Sequence, residues 1–148
     1  MKLKNRQVTF ANAVLKNIKL EVTQSAGRRR FLRDLRPFHD DIVEAQTEIQ
    51  QQYADKDKNG EVKADPVTGL IKFSGENKKK SEAEWRKLEE GEIFFEVSEK
   101  NERDVNTVID ILTAHRDEYL EKNEKELNAE QYEYFEELEN LIETLKNK

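Results

Sequence analysis

Cysteine is absent from the chain. Its absence excludes disulfides, thiolate metal sites and cysteine nucleophilic catalysis together. Histidine occurs twice, at His39 and His115, which is too few for the histidine-based zinc sites. The five glycines form no phosphate-cradling loop, and the four serines lack the context of a nucleophile. No apolar run approaches the roughly 20 residues of a membrane-spanning helix. Lys2, Lys4 and Arg6 interrupt the place where a secretory h-region would stand. The expectation is a cytoplasmic chain with no membrane partner, no cofactor, no metal and no catalytic residue.

What is present is charge. Of the 148 residues, 39% are charged and 35% hydrophobic, a composition that borders on disorder. The apolar residues are periodic, however, and include seven Phe, four Tyr and one Trp. Such a chain folds as one domain over residues 1–148, with thin helices whose outer faces are charged. The net charge of −6 conceals an asymmetry. Through Arg36 there are ten Lys or Arg against two acids, about +8, and the remainder carries about −14.

Apolar spacing predicts helices over about 6–18, 25–54, 81–90, 102–120 and 128–146, and strands over about 61–64, 70–73 and 92–97. Asn5 is read as the first cap, and Thr23 or Ser25 as the second. The second helix is the clearest: Phe31, Leu35, Phe38, Ile42, Ala45 and Ile49 form one continuous seam. Pro37 lies inside it and predicts a kink near 33–37. Ser81 with Glu84 and Asn128 with Gln131 have the pattern of capping boxes. The fourth helix carries Val105, Val108, Ile109, Leu112, Tyr119 and Leu120, and the fifth a stripe from Tyr132 to Leu145. The expected fold is α+β and predominantly helical. Its long, kinked second helix packs with the N- and C-terminal helices beside a small antiparallel hairpin or three-stranded sheet.

Three motifs suggest chemistry. Asp55-Lys56-Asp57-Lys58-Asn59-Gly60-Glu61-Val62 matches the first eight positions of an EF-hand loop. Position twelve, which requires a bidentate glutamate, is Pro66, so a polar hairpin turn is the better reading. His39-Asp40 resembles the His-Asp doublet of metal-dependent phosphohydrolases, but no second histidine precedes it. His39 reads as a helix-surface residue and His115 as a half-buried structural one. Glu61-Val62-Lys63 has a nuclease-like acid-x-lysine spacing without a partner acid on a preceding strand.

The arginines carry more information. Arg28, Arg29, Arg30, Arg33 and Arg36 fall within nine residues at the start of the second helix, where the helix dipole favours acids. Something must compensate them. Internal pairing with acids of the last two helices is the preferred reading, and an external phosphate or nucleic acid is the alternative.

Met1-Lys2-Leu3-Lys4-Asn5 ahead of a short helix, the basic start of the second helix, the Asp57-Lys58-Asn59-Gly60 turn and Glu89-Glu90-Gly91-Glu92 before a strand together resemble a family of small proteins carried by phages and prophages of Gram-positive bacteria. The resemblance follows the order of elements across most of the chain and carries over no catalytic residue. It implies an accessory factor for virion assembly or host interaction, placed in the host cytoplasm. The expected function is non-catalytic protein binding, with self-association through the long seam, and nucleic-acid or phosphate binding through the arginines as the second reading.

Overall fold

Helical periodicity takes over within four residues of the N-terminus and dominates from there. The computed structural model describes Met1–Lys148. Its elements follow in the order β1 (Lys2–Lys4), α1 (Asn5–Asn17), α2 (Val22–Tyr53), α3 (Gly75–Glu90), β2 (Glu92–Phe94), α4 (Glu102–Lys122) and α5 (Ala129–Lys146). The fold is predominantly helical α+β, as the spacing predicts. No helix is long and apolar enough to cross a membrane. The chain forms two compact units, Met1–His39 with Glu92–Lys148, and Asp40–Gly91. α2 contributes to both and continues through Pro37, which has no amide to donate to the Arg33 carbonyl.

In the first unit, the apolar faces of four helices supply the core. α1 buries Val8, Ala11, Val14 and Leu15, and α2 buries Phe31 and Leu35. α4 buries Val105, Val108, Ile111 and Leu112, and α5 buries Leu138, Leu141, Ile142 and Leu145. Ile111 thus takes the buried place expected of Ile109, and Tyr132 is 56% exposed rather than part of the α5 stripe. β1 pairs antiparallel with β2 in the register Lys2↔Phe94, Leu3↔Ile93 and Lys4↔Glu92. The strand expected over 92–97 is therefore shorter, and its partner is the N-terminal segment rather than the hairpin. Leu3, buried on the inner face, rewards this pairing, a long-range contact that a three-residue strand does not announce.

Helix ends differ from expectation where local capping is overridden. α1 starts at Asn5 with Lys4 as its cap, whose amide donates to Gln7 Oε1 at 2.9 Å. α2 starts at Val22, ahead of Thr23 and Ser25, because the amides of Gln24 and Ser25 already reach the Glu21 carbonyl. α3 starts at Gly75, six residues before Ser81. Gly75 has φ +59°, a conformation open to glycine. Ser81 is then buried inside the helix, its hydroxyl donating to the Lys78 carbonyl at 2.7 Å. The Asn128–Gln131 capping box forms as read, with reciprocal bonds of 2.9 and 3.1 Å. Ahead of it Glu124 and Lys125 adopt left-handed φ values, which separates α4 from α5.

The Asp40–Gly91 unit holds the hairpin and α3. The expected strands 61–64 and 70–73 meet as a single antiparallel bridge, Ala64↔Ile71, too short for a regular ladder. Asp65 N donates to Leu70 O at 2.8 Å and Lys72 N to Lys63 O at 3.2 Å. Asp55 completes the arrangement, donating to Lys72 O and accepting from Lys63 N. Of eighteen fully buried apolar side chains in the chain, this unit contributes two, Ile42 and Ala54.

One close approach in the first unit is testable. A Cβ on Gly27 would lie 2.9 Å from Thr107 Cγ2 and 3.1 Å from Thr107 Cβ. Thr107 is held by its own hydroxyl bond to Arg103 O at 2.9 Å. Alanine in an exposed helix would stabilise by about 1 kcal/mol relative to glycine. Here Gly27→Ala is expected to destabilise by about 1–2 kcal/mol. Denaturant unfolding of Gly27→Ala, Thr107→Ala and the double variant checks this, since Thr107→Ala in the Gly27→Ala background should restore stability. A stabilised single variant would contradict the close packing.

Candidate functional site

The five arginines separate by helix face. Arg28 turns toward α1, where its Nη1 donates to the Leu15 carbonyl at 2.9 Å and to the Ile18 carbonyl. It thus satisfies carbonyls that the end of α1 leaves without amides. Arg30 turns toward α4 and grips the Asp104 carboxylate with Nε and Nη2 at 2.8–3.1 Å. Asp104 is 5% exposed and lies in the first turn of α4, where a carboxylate also suits the helix dipole. The bidentate fork holds the guanidinium charged, raising its pKa further. Arg29, Arg33 and Arg36 are exposed. Their i, i+4, i+7 spacing places them on one outward stripe, where Arg33 lies 3.8 Å from Asp34. The cluster is therefore not one site: two arginines bind inward and three face solvent. Because α2 begins at Val22, Arg28 falls in its second turn, beyond the reach of most of the dipole effect.

The histidines are both engaged. His39 Nε2 pairs with the Asn12 amide nitrogen at 3.2 Å and is half-buried rather than on the surface. His115 is half-buried, as expected, and its Nε2 lies 2.9 Å from the Tyr134 hydroxyl. Phe10, Tyr119 and Tyr134 stack beside it, with ring centroids 5.5 and 4.9 Å from Tyr134. Burial pushes the His115 pKa down, against a smaller opposing pull from Glu118 and together with Lys122. The same burial raises that of Tyr134. Sequence spacing pointed to Tyr132; the aromatic that turns inward is two residues later, near the start of the helix where the phase of a stripe is least defined.

In the Asp40–Gly91 unit the EF-hand-like segment is a closed turn. Asp57 Oδ1 accepts from the amides of Asn59 and Glu61 at 2.8 and 3.0 Å, and Gly60 has φ +77°. Asp65 repeats the device, accepting from Val67 and Thr68 at 2.8 and 3.0 Å. Both carboxylates serve backbone amides of their own turns. Lys63, of the nuclease-like tripeptide, takes its place in the hairpin through its backbone.

A cleft of about 740 Å³ opens beside that hairpin. Residues 69–74 form one wall and Lys78, Ser81, Glu82 and Trp85 of α3 the other. Leu70, Ile71, Phe73 and Trp85 make it mainly apolar, and Leu70 remains 69% exposed beside Val67 at 92%. Single residues of this wall were visible in the sequence as strand and helix positions. Their common cleft was not, because α3 begins earlier than its capping signal suggested.

Compared with protein-family models, curated proteins and solved structures, the chain matches none.

Two titrations follow from the shifts. His115 has a lowered folded pKa, so the folded state binds fewer protons than the unfolded one just below pH 6.5. Its contribution is complete above that pH and is lost as pH falls through the folded value. Asp65 is held below its ordinary 3.8 by the amides of Thr68 and Val67, so its contribution disappears at still lower pH. Thermal melts across pH should show the first slope near pH 6, and His115→Gln should flatten it. For the arginines, Arg30→Ala should lower the melting temperature, whereas the triple change of Arg29, Arg33 and Arg36 to Gln should leave it unchanged. Equal losses in both would contradict the division into inward and outward arginines.

Proposed function

We propose that the chain is a non-catalytic protein-interaction protein. The observation that carries this reading is the apolar cleft of the Asp40–Gly91 unit, walled by Leu70, Ile71, Phe73 and Trp85 where few apolar side chains are fully buried. Apolar surface left open in this way gains free energy when a partner removes it from water. The finer assignment, a phage-encoded factor for assembly or host-directed interaction acting in the host cytoplasm, rests on the family resemblance in the order of elements. Self-association belongs to the same reading.

The test compares the parent with Leu70→Asp and with the outward arginine triple variant, each immobilised and exposed to lysate of a phage-infected Gram-positive host. A partner retained by the parent and the arginine variant, and lost with Leu70→Asp, supports the cleft. Retention by Leu70→Asp removes it. Sedimentation of the same three proteins reads self-association independently.

A second reading has its own observation: Arg29, Arg33 and Arg36 share an exposed stripe. Phosphates along a polyanion suit such spacing, and binding would weaken with salt at a slope of about 0.9 per phosphate contacted on duplex DNA. The parent would elute from heparin later than the triple variant, at a salt concentration that falls with each charge removed. Co-elution of the two would eliminate the polyanion reading.

A further inference from the structure

The hairpin wall of the cleft is an open strand edge. In an extended segment, the peptide groups of alternate residues point to opposite sides. The Leu70 carbonyl and both peptide groups of Lys72 turn toward Asp65, Lys63 and Asp55 and are bonded there. Those of Ile71 and Phe73 therefore turn to the other side, and neither makes a backbone hydrogen bond. Two amides and two carbonyls stand unpaired in a row, a template that a further strand completes. α3 stands across the cleft from the same residues, with Trp85 as its largest apolar group.

Charge indicates what kind of strand fits. Residues 69–82, which provide both walls, carry Lys72, Lys78, Lys79 and Lys80 against Glu76 and Glu82, in a chain whose net charge is −6. The Asp55 carboxylate accepts the Ser74 hydroxyl at 2.6 Å. Lys72 and the exposed Leu70 occupy one face of the edge, so a neighbouring strand meets them with an acid and an apolar side chain. A second copy of the hairpin would bring its own lysines, and like charges across a strand pair destabilise it. We infer that the cleft receives an extended, alternately acidic and apolar segment of a partner protein, added as a strand along Ile71 and Phe73. This rests on the protein-binding reading and specifies its partner.

Trp85 is the only tryptophan of the chain and reports occupancy by its fluorescence. The probe is a terminally blocked peptide of alternating glutamate and valine, titrated into the full chain. A saturable change at sub-millimolar peptide is expected. N-methylation of alternate peptide amides removes the strand's donors without touching the protein, and should weaken binding by about tenfold or more. A lysine–valine peptide should give no response to the parent and gain one with Lys72→Glu plus Lys78→Glu, while the glutamate peptide loses its own. No saturable response to the glutamate–valine peptide overturns the inference. Undiminished binding of the methylated peptide overturns strand addition. Either failure leaves intact a partner captured through Leu70, whereas failure of that capture alone removes the broader reading.

Discussion

Apolar side chains are the scarce material of this chain, and their distribution decides what each part is able to do. At 35% hydrophobic residues, the supply suffices for one well-filled core, and the four helix faces around Leu15, Leu35, Val108 and Leu138 use most of it. Burial is worth about 25 cal/mol per Å² of apolar surface, against roughly 1–2 kcal/mol of backbone entropy for each residue ordered. A segment that buries only Ile42 and Ala54 completely gains little from its own packing. It holds its shape chiefly through local hydrogen bonding.

Those local bonds come from residues that look catalytic in a bare sequence. Asp57 and Asp65 each sit two residues before an amide that their carboxylate accepts. Gly60 and Gly69, both at positive φ, close the two turns. A calcium loop and a hairpin turn draw on the same short-range chemistry of aspartate and glycine. What separates them is the residue at position twelve, here Pro66. The turn was legible because every partner lies within four residues. Between the turns and α3, the same economy leaves Ile71 and Phe73 with open peptide groups, so the cleft is a consequence of short strands as much as of missing core.

Legibility elsewhere follows sequence separation. The five helices were readable from spacing because a 3.6-residue period repeats several times within each. The capping box at Asn128 was readable because its partners are three residues apart. β1 was not: Leu3 opposite Ile93 has no local signal, and three residues are too few to show alternation. Ser81 misled for a related reason. Its hydroxyl suits a cap, but it also serves inside a helix by returning to the carbonyl three residues earlier, and Gly75 had already turned the chain into α3.

The arginines show the same limit in electrostatic form. Composition establishes that the first 36 residues are basic, and dipole arguments require that such charge be answered. Which arginine is answered depends on helical phase, since successive residues rotate by about 100°. Arg28 and Arg30 fall where α1 carbonyls and Asp104 lie within reach, while Arg29, between them, faces water. Asp104 is 74 residues from Arg30, and nothing in the sequence distinguishes it from the other acids that follow. The inward pairs answer two charges through fixed geometry. The outward three retain theirs, so the basic character of the N-terminal third survives folding as a narrow exposed stripe rather than a broad patch.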